Sequence, residues 1–510
     1  MTQLMIIIGY LVLLLGFGLL ARRRSQGTAR DFMLASHSIG PVLLLLSLFG
    51  TTMTAFALVG STGKSYQWGV GVYALMASSS GIVHSLCFFL VGVKIWAIGR
   101  RNGYTTQVQY FRDRLESRAF GFLLFAVLVA LVIPYLLIGI LGGGAVIQGI
   151  TGIVPDWLGS LIICAVVLTY VFLGGMRGTA WANAFQTIVF MVLGLVAFLV
   201  IANQLGGGEG IWAGLVAAST QVQAKDPGKL TMGPPVFTKL FFMSYLLIPL
   251  SAAMFPHIFQ HWLTARSAST FKLSIIVHPI FIAIVWLPCV LVGTWAISAV
   301  GSDGALLIPK TLTNVNTVLP IMVAKLANPV LSGLLAAGIL AAVMSSLDSQ
   351  FLCLGTMFTN DIVLELKGRD RFSDRQIVLM ARLFIVGIVT ATYLISLLKP
   401  AGIFDLALWC FSGFTGLVPL VVACLYWKRT TLAGAISSVL ATIASWIYFF
   451  AQAGGYPPDL KYKAFGMLPV AAIFVVSAVA LVTVSLLTRP PTEETINRFF
   501  SSGDDPASAS

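Results

Sequence analysis

The sequence predicts an all-α polytopic membrane protein, and three observations carry that expectation. Of the 510 residues, 58% are hydrophobic and 10% charged, with a mean hydropathy of +0.94, too apolar over that length for a soluble core. Apolar runs long enough to cross a bilayer recur along the whole chain, at ~20 residues per crossing. Most of the 31 Lys and Arg collect in alternate connecting loops and not inside the runs.

The runs lie at roughly 4–21, 40–60, 70–98, 119–148, 157–175, 183–203, 237–262, 272–300, 329–357, 377–398, 402–426, 431–452 and 465–488, about 13 spans. The first is followed by Arg22–Arg24 with no small-residue cleavage site, so it reads as a retained span and not a signal peptide. With the N-terminus outside, the inner loops carry Arg22–Arg24, Arg30, Arg100, Arg101, Arg112, Arg114, Arg118, Lys367, Arg369, Arg371, Arg375, Lys428 and Arg429. The positive-inside rule then puts the C-terminus in the cytoplasm, in a cell (inner or plasma) membrane. The net charge of +13 is this loop bias and implies no nucleic-acid partner. Cys87, Cys164, Cys289, Cys353, Cys410 and Cys424 all fall in apolar segments without CxxC spacing, as small hydrophobes do. Residues 1–490 read as one transmembrane domain. The Pro-, Ser- and acid-rich stretch 491–510 reads as a disordered cytoplasmic tail.

Two spans are interrupted in related positions. The second, SLFGTTMTAFALVGSTG, holds Gly50 and the hydroxyls of Thr51, Thr52, Thr54 and Thr62; the seventh, SYLLIPLSAAMFPHIF, holds Pro249 and Pro256 around Ser251. Pro and Gly in a membrane helix free backbone carbonyls, which is tolerated where they line a cavity. The breaks lie about 200 residues apart, each opening a block of five spans, and paired broken helices in corresponding positions point to a transporter binding site. An odd number of spans per block inverts the second block relative to the first. The simpler alternative is two ordinary Pro- or Gly-containing membrane helices.

The stretch AAVMSSLDSQ at 341–350 sets the adjacent hydroxyls of Ser345 and Ser346 in an otherwise apolar run. On a helix, the carbonyl of Ala342 shares a face with side chains three and four residues later. Three neutral hard oxygens then converge where hydroxyls are costly unless bonded, which suits a dehydrated alkali cation such as sodium. Close helix–helix packing through small residues is the competing explanation.

Five segments in order carry a resemblance: LVGSTGKSYQWG at 58–69, YVFLGGMRGTAWANAFQ at 170–186, FPHIFQ at 255–260, GLLAAGILAAVMSSLDSQ at 333–350 and LYWKRTTLAGA at 425–435. Together they resemble the sodium:solute symporter family, which includes proline, pantothenate, monocarboxylate and sodium/glucose carriers. The resemblance implies an inverted-repeat, leucine-transporter-type 5+5 core, with one extra N-terminal helix (4–21) and two extra C-terminal helices (431–488). The first repeat would span about 40–203 and the second about 237–426. It implies a sodium site made by the carbonyls of Gly50, Met53 and Ala342 and the hydroxyls of Ser345 and Ser346. It also implies a sodium-coupled symporter that imports a small organic solute (a carboxylate, pantothenate or an amino acid) by alternating access, with no enzymatic activity and no other cofactor.

The chain departs from the family pattern at Asn183, where many members carry an Asp implicated in a second cation or a proton. Asn183 offers an oxygen but no charge, which puts a second strong sodium site in doubt and tilts slightly toward a neutral or zwitterionic solute. His261 stands where several relatives have Arg and is expected to be a cytoplasmic-end residue. Substrate-side candidates are Ser47, Thr51, Thr54, Tyr135, Tyr245, Ser251, Trp409 and Ser412, with Phe404, Trp409 and Phe411 able to close over a solute. His84 and His278 are expected to be satisfied interior residues. Asp348 is expected to cap an inner helix end or to pair with a loop Arg, with a role in sodium exit as the alternative. The nearest alternative function is a proton-coupled carrier of the same fold. A membrane-embedded sensor would need a signalling domain after residue 490, and an intramembrane enzyme would need clustered His, Asp or Glu at depth.

Overall fold

The computed structural model describes residues 1–23, 27–233, 237–301, 304–398, 402–455 and 462–500. Arg24 of the first expected inner loop and residues 501–510 of the expected tail lie outside the described residues.

The candidate spans, the two bent pairs and the last helix are, in chain order, α1 (Thr2–Arg23), α2 (Pro41–Thr52), α3 (Phe56–Trp68), α4 (Gly71–Asn102), α5 (Arg118–Thr151), α6 (Asp156–Leu205), α7 (Lys239–Ala253), α8 (Pro256–Leu263), α9 (Ala268–Trp295), α10 (Pro329–Lys367), α11 (Asp374–Ser396), α12 (Ile403–Tyr426), α13 (Leu432–Gln452), α14 (Pro469–Leu487) and α15 (Glu493–Phe500), with shorter helices such as Gln107–Arg114, Ile211–Lys225 and Val318–Leu326 between them. Ten are long and apolar enough to cross a membrane alone, and the bent pairs α2/α3 and α7/α8 raise the number to 12. At 50 residues, α6 would be about 75 Å long, more than twice the hydrocarbon thickness of a bilayer. It breaks at Gly175, whose φ of 54° and ψ of −153° are not helical. Divided there, it offers the stretches 156–174 and 176–205, each long enough to cross, where the sequence shows two separate apolar runs.

Only glycine fits that break. A Cβ on residue 175 would lie 2.6 Å from the Phe32 ring and 2.7 Å from the Phe32 carbonyl oxygen. Gly175→Ala therefore combines a backbone region closed to other residues with a clash, for an expected loss of about 2–5 kcal/mol. A drop in the unfolding temperature of the purified protein checks this, and an unchanged temperature contradicts it.

Burial sorts the helices into centre and periphery. The most apolar windows of α12 and α10 are 94% and 83% buried, against 33% for α1, α11, α13 and α14. The latter present Leu, Ile and Val outward, as lipid-facing helices do.

The two breaks have different local causes. In the first, Met53 ends α2 in an extended conformation, φ −87° and ψ 100°. The Thr54 side chain then accepts from the amide of Phe56 at 3.0 Å, and its carbonyl accepts from Ala57 at 2.9 Å, so donors exposed by the break are capped. In the second, Pro249 opens a 3₁₀ turn and Pro256 starts α8, where its missing N–H does no harm. The chain turns by 55° at the first break and 50° at the second.

The expectation of a disordered tail fails for Glu493–Phe500. Phe499 packs edge-on against Tyr110 at 6.0 Å, and the Arg114 guanidinium lies 5.1 Å from the Phe500 ring. Arg498 reaches Asp113 at 3.3 Å and Asn102 at 3.0 Å. The composition of 491–510 conceals apolar residues at 496, 499 and 500, spaced to share one helical face.

His37, in the connection between α1 and α2, is hydrogen-bonded to the Leu263 carbonyl at the end of α8. Burial holds its imidazole below the ordinary histidine range; the Leu263 contact opposes this shift, and Arg100 and Arg30 reinforce it.

Candidate functional site

The break between α2 and α3 faces the middle of α10. The Ser345 hydroxyl lies 2.8 Å from the carbonyl oxygen of Gly50 and 3.0 Å from that of Ala342. Gly50, Ala342 and Ser345 are thus brought together in a fully buried position. Met53 is also buried, at the extended residue of the break. Ser346 is buried but turned back on its own helix, with its hydroxyl on the Val343 carbonyl at 3.2 Å. A Cβ on residue 50 would lie 2.6 Å from the Thr187 hydroxyl and 3.1 Å from the Asn183 carbonyl oxygen, so α6 closes tightly over this point.

Asn183 lies beside the same helix. Its amide nitrogen donates to the Ser349 hydroxyl at 2.9 Å, and its side-chain oxygen has no partner among the described residues. The Ser349 hydroxyl contacts Asp348 Oδ1 at 3.0 Å, and Tyr170 donates to Asp348 Oδ2 at 2.9 Å. The expected role of Asp348 as a helix-end cap is therefore corrected: α10 runs on to Lys367, so residue 348 lies well inside it, and its oxygens meet hydroxyls and not a loop Arg. The carboxyl missing from position 183 has a neighbour of the same kind one hydroxyl away. A buried carboxyl among neutral partners at bilayer depth marks a functional position.

A second feature lies between the two helix breaks. A cavity of about 30 Å³ is lined by Thr52, Met53, Thr54 and Phe56 from the first break, and by Ile248, Pro249, Ser251 and Phe255 from the second. Ser80 and His84 of α4, Tyr135 of α5, Tyr245, Trp286 and Phe411 complete it. At this volume it admits little more than a water, so an organic solute requires it to open. On the α3 side a seam of rings closes it, with Phe56 5.0 Å from Phe404 and 5.5 Å from Phe411. Beyond that seam, Lys64 pairs with Asp405 at 3.3 Å, its ammonium 4.3 Å from the Trp68 ring.

Of the substrate-side candidates, Thr54, Tyr135, Tyr245 and Ser251 line this cavity, as does Phe411. The other four do not. Ser47 and Thr51 are buried in α2 with hydroxyls that have no partner among the described residues. Trp409 and Ser412 line a separate crevice with Tyr462, Leu468 and Pro469. The Trp409 carbonyl accepts from Trp446 at 2.8 Å, and the Ser412 hydroxyl bonds the Leu408 carbonyl at 2.7 Å. These two belong to the face of α12 that meets the C-terminal helices. Sequence reasoning missed Thr52, Ser80, His84, Phe255 and Trp286. Ser80 and His84, four residues apart in an apolar run, carried a usable signal: two polar groups on one helix face. His261 lies in the last turn of α8 and is buried, with its Nδ1 against the His257 carbonyl.

Two helices broken at equivalent points, with a cavity between them and oxygens gathered beside one break, define a secondary transporter of the leucine-transporter-like fold and not an enzyme. The chain belongs to the sodium:solute symporter family, matched over residues 32–442, and is a sodium-coupled solute symporter. It is 24% identical to the sodium/proline symporter of Staphylococcus aureus (strain JH9), over 96% of this chain and 93% of that one. Among solved structures it is similar to a substrate-bound, outward-open Na⁺-coupled sialic acid symporter, with a TM-score of 0.78 at 19% identity, covering 97% and 99% of the two chains. It is also similar to a nucleobase-cation-symport-1 family transporter in a closed conformation, with a TM-score of 0.55 at 13% identity, covering 92% and 97%.

Proposed function

We propose that this symporter imports a small carboxyl-bearing organic solute (a carboxylate, pantothenate or an amino acid) by alternating access, with its N-terminus outside and C-terminus in the cytoplasm. Sodium is held by the carbonyls of Gly50, Met53 and Ala342 and the hydroxyls of Ser345 and Ser346. The observation that supports this best is the Ser345 hydroxyl, which already spans the Gly50 carbonyl of the broken helix and the Ala342 carbonyl of α10. Sodium there would join the two helices in place of that hydrogen bond. Ser346 joins the set by a rotation about χ1 between staggered wells. Similarity to a sodium/proline symporter and to a Na⁺-coupled sialic acid symporter supports both the ion and the carboxyl.

A second cation is proposed at Asn183, Ser349 and Asp348. The sialic acid symporter is described as having a novel Na⁺ site. Here the orphaned oxygen of Asn183 and the carboxyl of Asp348 offer two acceptors around one hydroxyl. The same carboxyl could take a proton, which keeps a proton as the alternative second ion.

The test is uptake into proteoliposomes with an inward sodium gradient, using radiolabelled proline, pantothenate and small monocarboxylates. Uptake is expected with sodium and not with choline in its place. Full uptake in sodium-free buffer at low pH would overturn sodium as the driver in favour of the proton-coupled carrier.

A further inference from the structure

His84 and His278 form a pair that sodium coupling does not use. His84 lines the cavity between the two breaks, and its Nδ1 lies 3.3 Å from Nε2 of His278 on α9. His278 is fully buried and edge-on to Phe49 at 5.2 Å and to Phe88 at 4.9 Å. Its Nδ1 has no partner among the described residues.

That orphan nitrogen selects a tautomer. If His84 donated to His278, the remaining N–H of His278 would be a buried donor with no acceptor, which is the rarer defect. The preferred arrangement has His278 donating its Nε2–H to His84 Nδ1. The N–H of His84 then sits on Nε2, which has no protein partner among the described residues. His84, a residue of the cavity wall, thus offers a single N–H, on Nε2, in a tautomer set by a second imidazole.

The rest of the wall says what that donor meets. Among the described residues no Asp, Glu, Lys or Arg lines the cavity. Thr54, whose hydroxyl caps α3, and Phe255, the residue before α8, both line it, so two positive helix ends face the same space. The rings of Phe56, Phe255, Trp286 and Phe411 give a surface for an apolar body, interspersed with the hydroxyls of Thr52, Ser80, Ser251, Tyr135 and Tyr245, and the described wall offers no counter-charge for an ammonium group.

The geometry points to His84 as the anchor of the solute's carboxylate, and to a small monocarboxylate with an apolar body as the solute class. This rests on the symporter function proposed above and narrows it. His278 is a positioning residue that fixes which nitrogen of His84 donates.

The test compares acid and amide pairs (propionate with propionamide, pyruvate with pyruvamide, lactate with lactamide) by calorimetry on the full chain in nanodiscs, with sodium and with choline. In sodium, at least one acid is expected to bind about tenfold or more tighter than its amide. His84→Leu should abolish that preference while sodium binding without solute moves by less than about threefold; His84→Gln, which keeps a donor, should restore most of it. His278→Phe should lower the preference in the His84 protein but leave it unchanged in a His84→Gln background, where no tautomer needs fixing. If sodium binds and none of the acids does, or if His84→Leu keeps the preference, the assignment is overturned. If His84→Leu does not fold, the wild-type comparison and His84→Gln decide. An acid preference that depends on His84 in a protein that binds no sodium would sink the sodium reading and leave this one standing.

Discussion

Ser345→Ala is expected to weaken sodium binding by roughly 10- to 150-fold, the effect of losing one polar contact to a charge. The hydroxyl lies within 3.0 Å of both carbonyls that face the proposed ion, Gly50 from the broken helix and Ala342 from α10. Without it, two buried acceptors point at each other with no donor and fewer oxygens for a cation. Ser346→Ala is expected to cost less, about two- to fivefold, because the Ser346 hydroxyl must give up its bond to the Val343 carbonyl before it can ligate, which offsets part of its contribution. The measurement is a sodium titration of solute binding for each variant, with monodispersity as the check on folding. Equal effects at the two serines would show that both ligate with the same weight; wild-type sodium affinity in Ser345→Ala would remove the site from this position.

The sequence and the structure agree where a local rule is strong. Hydroxyls in an apolar run must be bonded, so Ser345 stood out before its partner was known, and Pro249 and Pro256 do flank the second break. Agreement ends where a helix is buried all round. On α12, nine-tenths of whose apolar window is inside, periodicity cannot tell the cavity face from the face that meets α13 and α14. Phe411 therefore lines the cavity between the breaks while Trp409 and Ser412 line another crevice, a distinction the sequence pattern does not draw. Asp348 was misread because the apolar run stops near 357 while α10 continues to Lys367. His84 was passed over because a lone histidine in a membrane run says nothing of the partner 194 positions away. The tail helix needed Tyr110 and Arg114 to fold against, and an average composition carries no trace of them.

Asp348→Asn carries the second large effect, on how far the solute can be concentrated. The carboxyl is fully buried and meets the Tyr170 and Ser349 hydroxyls, with no cationic side chain in contact among the described residues. An ionised carboxylate so placed is costly in hydrocarbon, so a positive charge must accompany it, as a bound proton or a metal cation. If that charge enters from outside and leaves inside with each cycle, it is a second coupling ion. One charge crossing 100 mV is worth about 2.3 kcal/mol and a tenfold gradient about 1.4 kcal/mol, together roughly 500-fold in the attainable gradient. The consequence is largest for a monocarboxylate, because one sodium with one anion is electroneutral and draws nothing from the membrane potential. Asn keeps an acceptor for Tyr170 and removes the charge, so the variant should fold, bind sodium at Gly50 and Ser345, and still exchange solute. Its steady-state accumulation in potassium-clamped proteoliposomes should lose its dependence on voltage. Wild-type accumulation and voltage dependence in Asp348→Asn would show that this carboxyl carries no ion, and a loss confined to acidic pH would identify the ion as a proton.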